Sequence, residues 1–219
     1  MLLHTWGGRR PGAGRKPKDR AGVHHVRRRP LGRSRPVHVT SRVLPIGSLR
    51  RRTCYRVVRR ALAEGGSRPD FRVVEFSVQT SHIHLICEAE DRASLSRGLQ
   101  GLFIRIAKAL NKALGRKGKV FADRYQDRVL THPRQVRNAL AYVLNNFRRH
   151  AADHGRRLAR GWLDPCSSAA DFDGWKGRAL AVKRLTGDPP LPRARTWLLG
   201  LGWKSHGKIH VDTVPGPIG

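Results

Sequence analysis

The spacing of apolar residues between Pro36 and about His150 is the feature that most limits how this chain can fold. The spacing switches between the two-residue period of a strand and the 3.6-residue period of a helix. Strands are predicted over 37 to 44, 71 to 79, 82 to 90 and 120 to 130, and helices over 48 to 66, from Asp91 or Ser94 to about Gly115, and from Pro133 to about His150. The first six elements have the order of a split βαβ arrangement. The sequence therefore predicts an α+β, ferredoxin-like antiparallel sheet with helices on one face, followed by a C-terminal helix.

Alternation along two predicted strands assigns their side chains to the two faces of the sheet. In HIHLICEA, one face carries His82, His84 and Ile86, and the apolar face carries Ile83, Leu85, Cys87 and Ala89. In FRVVEFSVQ, one face carries Arg72, Val74, Phe76 and Val78. Because the helices cover the apolar face, we expect the histidine face to be free for a ligand.

The pair His82 and His84 is a candidate metal site. Neutral imidazole is the commonest protein ligand of divalent metals, and these two rings project from the same side of one strand. Two histidines spaced by one residue are also found as ordinary surface or core residues. The pair alone leaves both interpretations open.

The charge of the chain indicates a polyanionic partner. Forty-five lysines and arginines against 15 acidic residues give the 219-residue chain a net charge of +30. Neutralisation of phosphates with release of counterions makes nucleic acid the expected partner. The alternative is a solvated basic surface that reflects the arginine codons of a GC-rich genome, although such a surface would still attract phosphate.

Composition divides the chain into three parts. Residues 1–35 form a basic, Gly- and Pro-containing arm, which we expect to be disordered alone and to tether DNA, with Arg15 and Lys16 in its GRKP stretch as candidate contacts. Residues 36–152 form the predicted domain, and 153–219 an irregular tail. Four tail tryptophans can stack on bases or anchor the tail to the domain, and we expect anchoring: Trp162, Trp175, Trp197 and Trp203.

Cysteine usage and hydropathy bear on the cellular compartment. Cys54, Cys87 and Cys166 are far apart and odd in number, so neither a disulfide framework nor structural zinc is expected. The start MLLHTWGG lacks the pattern of a signal peptide, and no segment approaches a membrane-spanning length. We expect a bacterial protein in the cytoplasm, associated with the nucleoid and not with a membrane.

The last predicted helix has two different faces. Its buried stripe is predicted to contain Val136, Leu140, Val143 and Phe147, and its polar row Gln135, Asn138, Tyr142, Asn146 and Arg149. Tyr142 and Asn146 are one turn apart, so their phenol and amide groups are directed at a common partner. A surface tyrosine lying on arginine neighbours is the alternative.

The combination of these segments resembles a known family. HIH after FSVQTS, the basic segment around FADRYQ and the later AYVLNN are similar to the single-tyrosine HUH (His-hydrophobic-His) transposases, in particular the REP-associated tyrosine transposases. The resemblance covers about residues 36 to 150. The chain departs from the family at Ser81, where relatives usually have Asn or a similar residue.

The resemblance implies a metal-dependent enzyme that nicks and rejoins single-stranded or hairpin DNA, including REP-like palindromes, during DNA transposition. It implies that His82, His84 and Asn146 bind Mg²⁺ or Mn²⁺ and that Tyr142 is the nucleophile, forming a 5′-phosphotyrosine. It also implies a homodimer. The chemistry is consistent, because a tyrosine ester stores the bond energy needed for rejoining.

Arg124, Arg128 and Arg149 are the candidate phosphate contacts within the predicted domain. Two other functions remain open. A non-catalytic, domesticated nucleic-acid-binding protein would use the same sheet without needing the histidines. A small metal hydrolase would use the histidines to activate water and would form no covalent intermediate.

Overall fold

Five β-strands form one antiparallel sheet in this computed structural model, which describes residues 30–32, 35–182 and 185–216. The strands are β1 (Val37–Arg42), β2 (Ser67–Arg68), β3 (Phe71–Val78), β4 (His82–Ala89) and β5 (Gln126–Val129). Their order in the sheet is β2-β3-β4-β1-β5. With the short β2 set aside, this is the strand order of the split βαβ arrangement, so the predicted fold class is confirmed.

Four helices accompany the sheet: α1 (Arg52–Gly65), α2 (Arg92–Ala113), α3 (Pro133–Leu144) and α4 (Asn146–Asp153). The Asp91 carboxylate caps α2 by accepting a hydrogen bond from the Ser94 amide at 2.7 Å. Pro133 occupies the first turn of α3, where its missing N–H needs no partner. The single last helix of the prediction is interrupted at Asn145, whose weak helix propensity suits the break.

The main core lies between the sheet and the helices α1 and α2. As predicted, the apolar face of β4 points into it, and the buried residues of the two helices meet that face. The core side chains of β4 are Ile83, Leu85, Cys87 and Ala89, and those of the helices include Val58, Leu62, Leu95, Leu99, Leu102 and Ile106.

A β-bulge changes the predicted faces of β3. The register with β4 shifts between Val73 and Glu75, so one residue of β3 is left without a partner. As a result Phe71, Val73, Phe76 and Val78 point into the main core, whereas Val74 packs on the opposite face. The prediction that Arg72, Val74, Phe76 and Val78 share a face was therefore wrong, because alternation fails across a bulge.

The second face of the sheet is partly covered, contrary to the prediction of a free face. Helix α3 packs Val136 and Leu140 in the same cluster as Ile86 of β4, together with Trp203 from the tail. Alternation placed these sheet residues correctly, but it cannot show that an apolar residue such as Ile86 attracts another layer. Only part of the histidine face is thus open to a ligand.

The tail after α4 is irregular but firmly held. Its short elements are β6 (Trp175–Lys176), α5 (Trp197–Gly200), β7 (Ile209–His210) and two 3₁₀ turns, Ala169–Asp171 and Gly202–His206. The carboxylate of Asp164 accepts two hydrogen bonds from the Arg50 guanidinium, at 2.8 and 2.7 Å. The backbone around Cys166 pairs with the free edge of β3, where the Val78 amide donates to the Cys166 carbonyl at 2.9 Å. These contacts close an edge that would otherwise be exposed.

Three of the four tail tryptophans anchor the tail as predicted. Trp203 is 1% exposed, Trp175 packs against Phe172, and Trp162 packs against Phe147. Trp197 is the exception, with 63% of its surface exposed.

The fourth strand, predicted over 120 to 130, is shorter in the structure, since only Gln126–Val129 pairs continuously with β1. Cys54, Cys87 and Cys166 are buried and free. None of the helices within the described residues is long and apolar enough to cross a membrane.

The close approach of α2 to β3 at Gly98 generates a prediction about stability. A Cβ atom at Gly98 would lie 2.2 Å from the ring of Phe71, which is itself buried. We therefore expect Gly98→Ala to lower the free energy of unfolding by about 1–3 kcal/mol, the usual cost of overpacking a core. Urea unfolding followed by circular dichroism measures this change.

Gly101→Ala is the matched control on the same helix. A Cβ atom there meets nothing closer than an Arg68 nitrogen at 3.8 Å, so the greater helix propensity of alanine should stabilise the protein by roughly 0.5–1 kcal/mol. Equal effects of the two substitutions would contradict the packing described for Gly98.

Candidate functional site

The histidine pair lies on β4 at the polar face of the sheet, as alternation predicted. The register with β1 places Thr40 opposite His84 and Arg42 opposite His82. His38 is the next residue of β1 on this face, opposite Ile86. The strand VHVTSR therefore contributes its own alternating polar side chains to the surroundings of the pair.

His84 is almost fully enclosed, with 3% of its surface exposed. Its Nδ1 lies 3.2 Å from Nε2 of His38 and 3.1 Å from Oγ1 of Thr40. The rings of His38 and His84 are stacked, with centroids 5.3 Å apart. His84 Nε2 is buried and has no hydrogen-bond partner among the described residues. One nitrogen is therefore engaged by β1, while the other remains available.

Tyr142 meets the histidines, as the sequence analysis proposed from two separate segments. Helix α3 lays its buried residues on the sheet, and this packing brings the ring of Tyr142 edge-on to His84 with centroids 5.3 Å apart. The same ring lies 5.9 Å from the ring of His38. The tyrosine is half-buried, so it does not lie on an open surface.

Asn146 belongs to the interior of the site instead of an exposed row. It is 0% exposed, and both its amide nitrogen and its amide oxygen lack a hydrogen-bond partner among the described residues. His150 follows one turn later, and its ring centroid is 5.7 Å from that of His82. Since Tyr142 contacts His84 and His150 contacts His82, Asn146 lies between the two contacts on the same helical row.

His38, Thr40 and His150 are site residues that the sequence analysis did not identify. The four-residue spacing of Tyr142, Asn146 and His150 in the sequence could have identified His150 as a site residue. His38 and Thr40 share a strand face in VHVTSR, but their register against β4 is a tertiary property.

Burial keeps the imidazoles neutral. It lowers the pKa of His38 to about 4, with a smaller contribution from the charge of Arg128. Burial also lowers the pKa of His82 to about 4, assisted by the charges of His150 and Arg42. The pKa of His84 is lowered well below its ordinary range, mainly by burial and then by the neighbouring histidines. Neutral imidazole is the form that binds metals.

Within the described part of the chain, no group of three or more His, Cys, Asp and Glu side chains gathers in a way that could hold a metal ion. Two imidazoles and one amide, the set that the family resemblance implies, would leave coordination positions open, unlike a closed structural zinc site.

The candidate phosphate contacts lie at different places. Arg128 is opposite His38 in the β1–β5 pairing, at the edge of the site, and Arg124 is exposed in the preceding loop. Arg149 donates a hydrogen bond to the carbonyl of Pro215 at 2.9 Å, so it also holds the tail. Arg42 is an additional cation beside His82.

Arg15 and Lys16 lie outside the residues that the structure describes, as does nearly all of the predicted arm.

Fold and site together define an α+β protein in which a strand-borne histidine pair faces a helix-borne tyrosine. The chain is similar to a REP-associated tyrosine transposase solved with a REP hairpin, at 19% identity and a TM-score of 0.46, over 61% of this chain and 75% of that one. It is also similar to a candidate transposase from Deinococcus radiodurans R1, at 12% identity and a TM-score of 0.35, over 65% of this chain and 99% of that one.

No protein-family model matches the sequence, and no curated protein matches it. With identities and TM-scores this low, the function is argued from the residues of this chain.

The lowered pKa of His38 generates a prediction about pH. In the unfolded chain His38 takes up a proton near its ordinary value of 6.5, whereas in the folded protein it does so only near 4. The stabilising contribution is therefore present above about pH 6.5 and is lost as the pH falls towards 4. As the pH falls, the free energy of unfolding of His38→Gln should therefore fall by about 3 kcal/mol less than that of the wild-type protein.

Urea unfolding with EDTA present, repeated between pH 7.5 and 4, measures the effect. His154→Gln is the matched control, since His154 is exposed at the end of α4 and should leave the pH dependence unchanged. An unaltered pH slope in His38→Gln would show that His38 is not buried in the neutral form.

Proposed function

We propose that this protein nicks and rejoins single-stranded or hairpin DNA through Tyr142, with His82, His84 and Asn146 binding Mg²⁺ or Mn²⁺. One observation carries the proposal. The ring of Tyr142 meets His84 at 5.3 Å in a site where His84 Nε2 and the Asn146 amide are buried without partners. A tyrosine in contact with a histidine whose Nε2 is unpartnered, and a buried unpartnered amide one turn from that tyrosine, favour catalysis on DNA in a chain of net charge +30.

The unpartnered atoms fit a metal ion. A buried polar atom without a hydrogen bond costs about 1–3 kcal/mol, and coordination of a cation by His84 Nε2 and Asn146 Oδ1 would offset that cost. Bound there, Mg²⁺ or Mn²⁺ would neutralise charge that develops on the scissile phosphate. Imidazole ligands favour Mn²⁺ over Mg²⁺ in this pair.

Thr40 and His38 orient His84 for this role. With its proton on Nδ1, His84 donates a hydrogen bond to Thr40 Oγ1 or His38 Nε2, and Nε2 then carries the lone pair needed by a metal. The partner of one ring nitrogen thus selects the form of the other.

The reaction uses Tyr142 as a nucleophile. The phenolic oxygen bonds to phosphorus as the phenol loses its proton, and the bond to the 3′-oxygen breaks, so that a 3′-OH leaves and a 5′-phosphotyrosine remains. Attack by another 3′-OH reverses the step and restores the phenol. Rejoining therefore needs no ATP.

Arginines at the edges of the site suit the DNA backbone. Arg128 stands beside His38, and Arg42 stands beside His82. These two cations can bind phosphates that flank the cleaved one, since guanidinium forks match phosphate oxygens.

Removal of the phenol is the direct test of the nucleophile. We expect the protein to form a covalent adduct with a labelled hairpin oligonucleotide in the presence of Mn²⁺, visible on a denaturing gel. Tyr142→Phe should abolish the adduct, because phenylalanine has no oxygen to attack phosphorus. DNA from the flanks of the protein's own gene supplies the hairpins.

Tyr125→Phe is the matched control. Tyr125 packs against Phe103 in the main core, on the opposite face of the sheet, so adduct formation should persist. An adduct that survives Tyr142→Phe would refute the assignment. DNA binding that is indifferent to His84→Ala and EDTA, without an adduct, would support a non-catalytic binder, and cleavage without an adduct would support a metal hydrolase.

Metal binding can be measured separately from activity. We expect the electron paramagnetic resonance signal of free Mn²⁺ to fall on titration with the protein, and His84→Ala to abolish this binding. Thr40→Val should weaken it about 10-fold, the usual effect of losing the partner that orients a ligand.

Thr53→Val is the control for the threonine substitution, because Thr53 is exposed at the start of α1 and should not alter the affinity for Mn²⁺. Binding equal to wild type in Thr40→Val would contradict the proposed orientation of His84.

A further inference from the structure

A strip of exposed side chains lies on the tail where it crosses the end of the sheet. The exposure of residues 193–197 alternates up to Trp197, the first residue of α5. Arg193, Arg195 and Trp197 are exposed, whereas Ala194 and Thr196 turn towards the protein. The three exposed side chains are therefore separated from one another by single residues that contact the protein.

The backbone under this strip is fixed by Glu88. The buried Glu88 carboxylate accepts hydrogen bonds from the Arg195 amide at 2.9 Å and from the Thr196 amide and hydroxyl at 2.8 Å each. Thr196 in turn caps α5, since its hydroxyl accepts from the Leu199 amide at 3.3 Å. The Trp203 indole donates a hydrogen bond to the Leu199 carbonyl at 3.0 Å. Trp203 itself is buried in the apolar cluster on the second face of the sheet. The strip therefore projects from a rigid support.

Trp197 is held in place on one side and is open on the other. Its indole lies so close to the buried Gly202 that a Cβ atom there would come within 2.7 Å of the ring. Even so, 63% of the residue is exposed. A large aromatic surface that is already ordered loses little conformational freedom on binding, which is why such residues dominate interfaces.

The two arginines give the strip its charge. Within the described residues, neither the Arg193 nor the Arg195 guanidinium takes part in an ion pair, in contrast to Arg72, which pairs with Glu88 at 3.6 Å. Two cations beside an exposed indole complement a chain that carries phosphates and flat rings in alternation. An acidic protein segment would match the charges, but single-stranded nucleic acid offers a flat ring at every nucleotide and so matches the indole as well.

We infer that Arg193, Arg195 and Trp197 bind a single-stranded stretch of nucleic acid, with a base stacked on the indole and phosphates on the two guanidinium groups. Stacking on aromatic residues tolerates any base sequence, and the arginines follow the backbone. The inference rests on the proposed function for the class of partner, but the strip is separate from the tyrosine site.

The position of the strip relates it to that site. Glu88, which supports the strip, projects from the same face of β4 as His84. It is four residues further along the strand, a distance of about 13 Å. A strand whose phosphate lies at Tyr142 reaches the strip a few nucleotides away. Short oligonucleotides at the tyrosine site should therefore not contact it, whereas longer strands should.

Fluorescence anisotropy with a long labelled oligothymidylate strand tests the inference on the full-length protein. Trp197→Ala should weaken binding of the long strand about 5- to 150-fold, the range for loss of one base stack. Trp197→Phe should retain most of the affinity. Replacing both Arg193 and Arg195 by Gln should lower the slope of log affinity against log salt by about 1.4.

Leu201→Ala is the matched control. Leu201 lies one turn beyond Trp197, is equally exposed at 63%, and has no ring to stack. An equal effect of the two substitutions, or a Leu201-dependent dimer in size-exclusion chromatography, would identify a protein contact and overturn the inference. Unchanged binding of the long strand by Trp197→Ala would also overturn it, while the Tyr142 adduct assay would be unaffected. Binding that depends on Trp197, without any Tyr142 adduct, would support the strip and refute the proposed function.

Discussion

The packing of α3 on the polar face of the sheet is the interaction on which the candidate site depends. Ile86 interrupts that face with an apolar side chain, and α3 covers it with Val136 and Leu140. Once those contacts set the rotation of α3, Tyr142 turns towards His84. His150 contacts His82 from α4, beyond the break at Asn145. The nucleophile proposed for this protein is thus positioned by ordinary apolar burial, not by a polar contact of its own.

The same burial has an electrostatic consequence. Removal from water lowers the pKa of His38 and of His82 to about 4, so imidazoles beside arginines remain neutral. It also leaves His84 Nε2 and the Asn146 amide without partners. Native proteins seldom leave buried polar atoms unsatisfied, and the exceptions gather at functional sites, where local rules are broken for chemistry. The cost of this arrangement is the physical reason for connecting it with a metal ion.

The tail is part of the folded domain although the family resemblance stops near residue 150. Trp203 packs in the apolar cluster on the second face of the sheet. Asp164 pairs with Arg50, and Glu88 holds the backbone of residues 195 and 196. Without these contacts the second face of the sheet would lose the part of its cover that Trp203 supplies, and the edge of β3 would be open. Glu88, on the same strand as the histidine pair, therefore acts as an anchor for the tail.

The amino-acid sequence by itself determined the four main strands, the main helices, their order and the residues of β4 on each face, because these follow from local periodicity and strand alternation. It also joined His82, His84, Tyr142 and Asn146 as one set, through the resemblance of their segments to a known family. Only the tertiary structure decided the bulge in β3, the cover over the second face and the entry of His38 and Thr40 into the site. Each of these depends on contacts between segments that are far apart in the chain. Such contacts decide which strand residue lies opposite His84, and they decide whether an apolar residue such as Ile86 is covered.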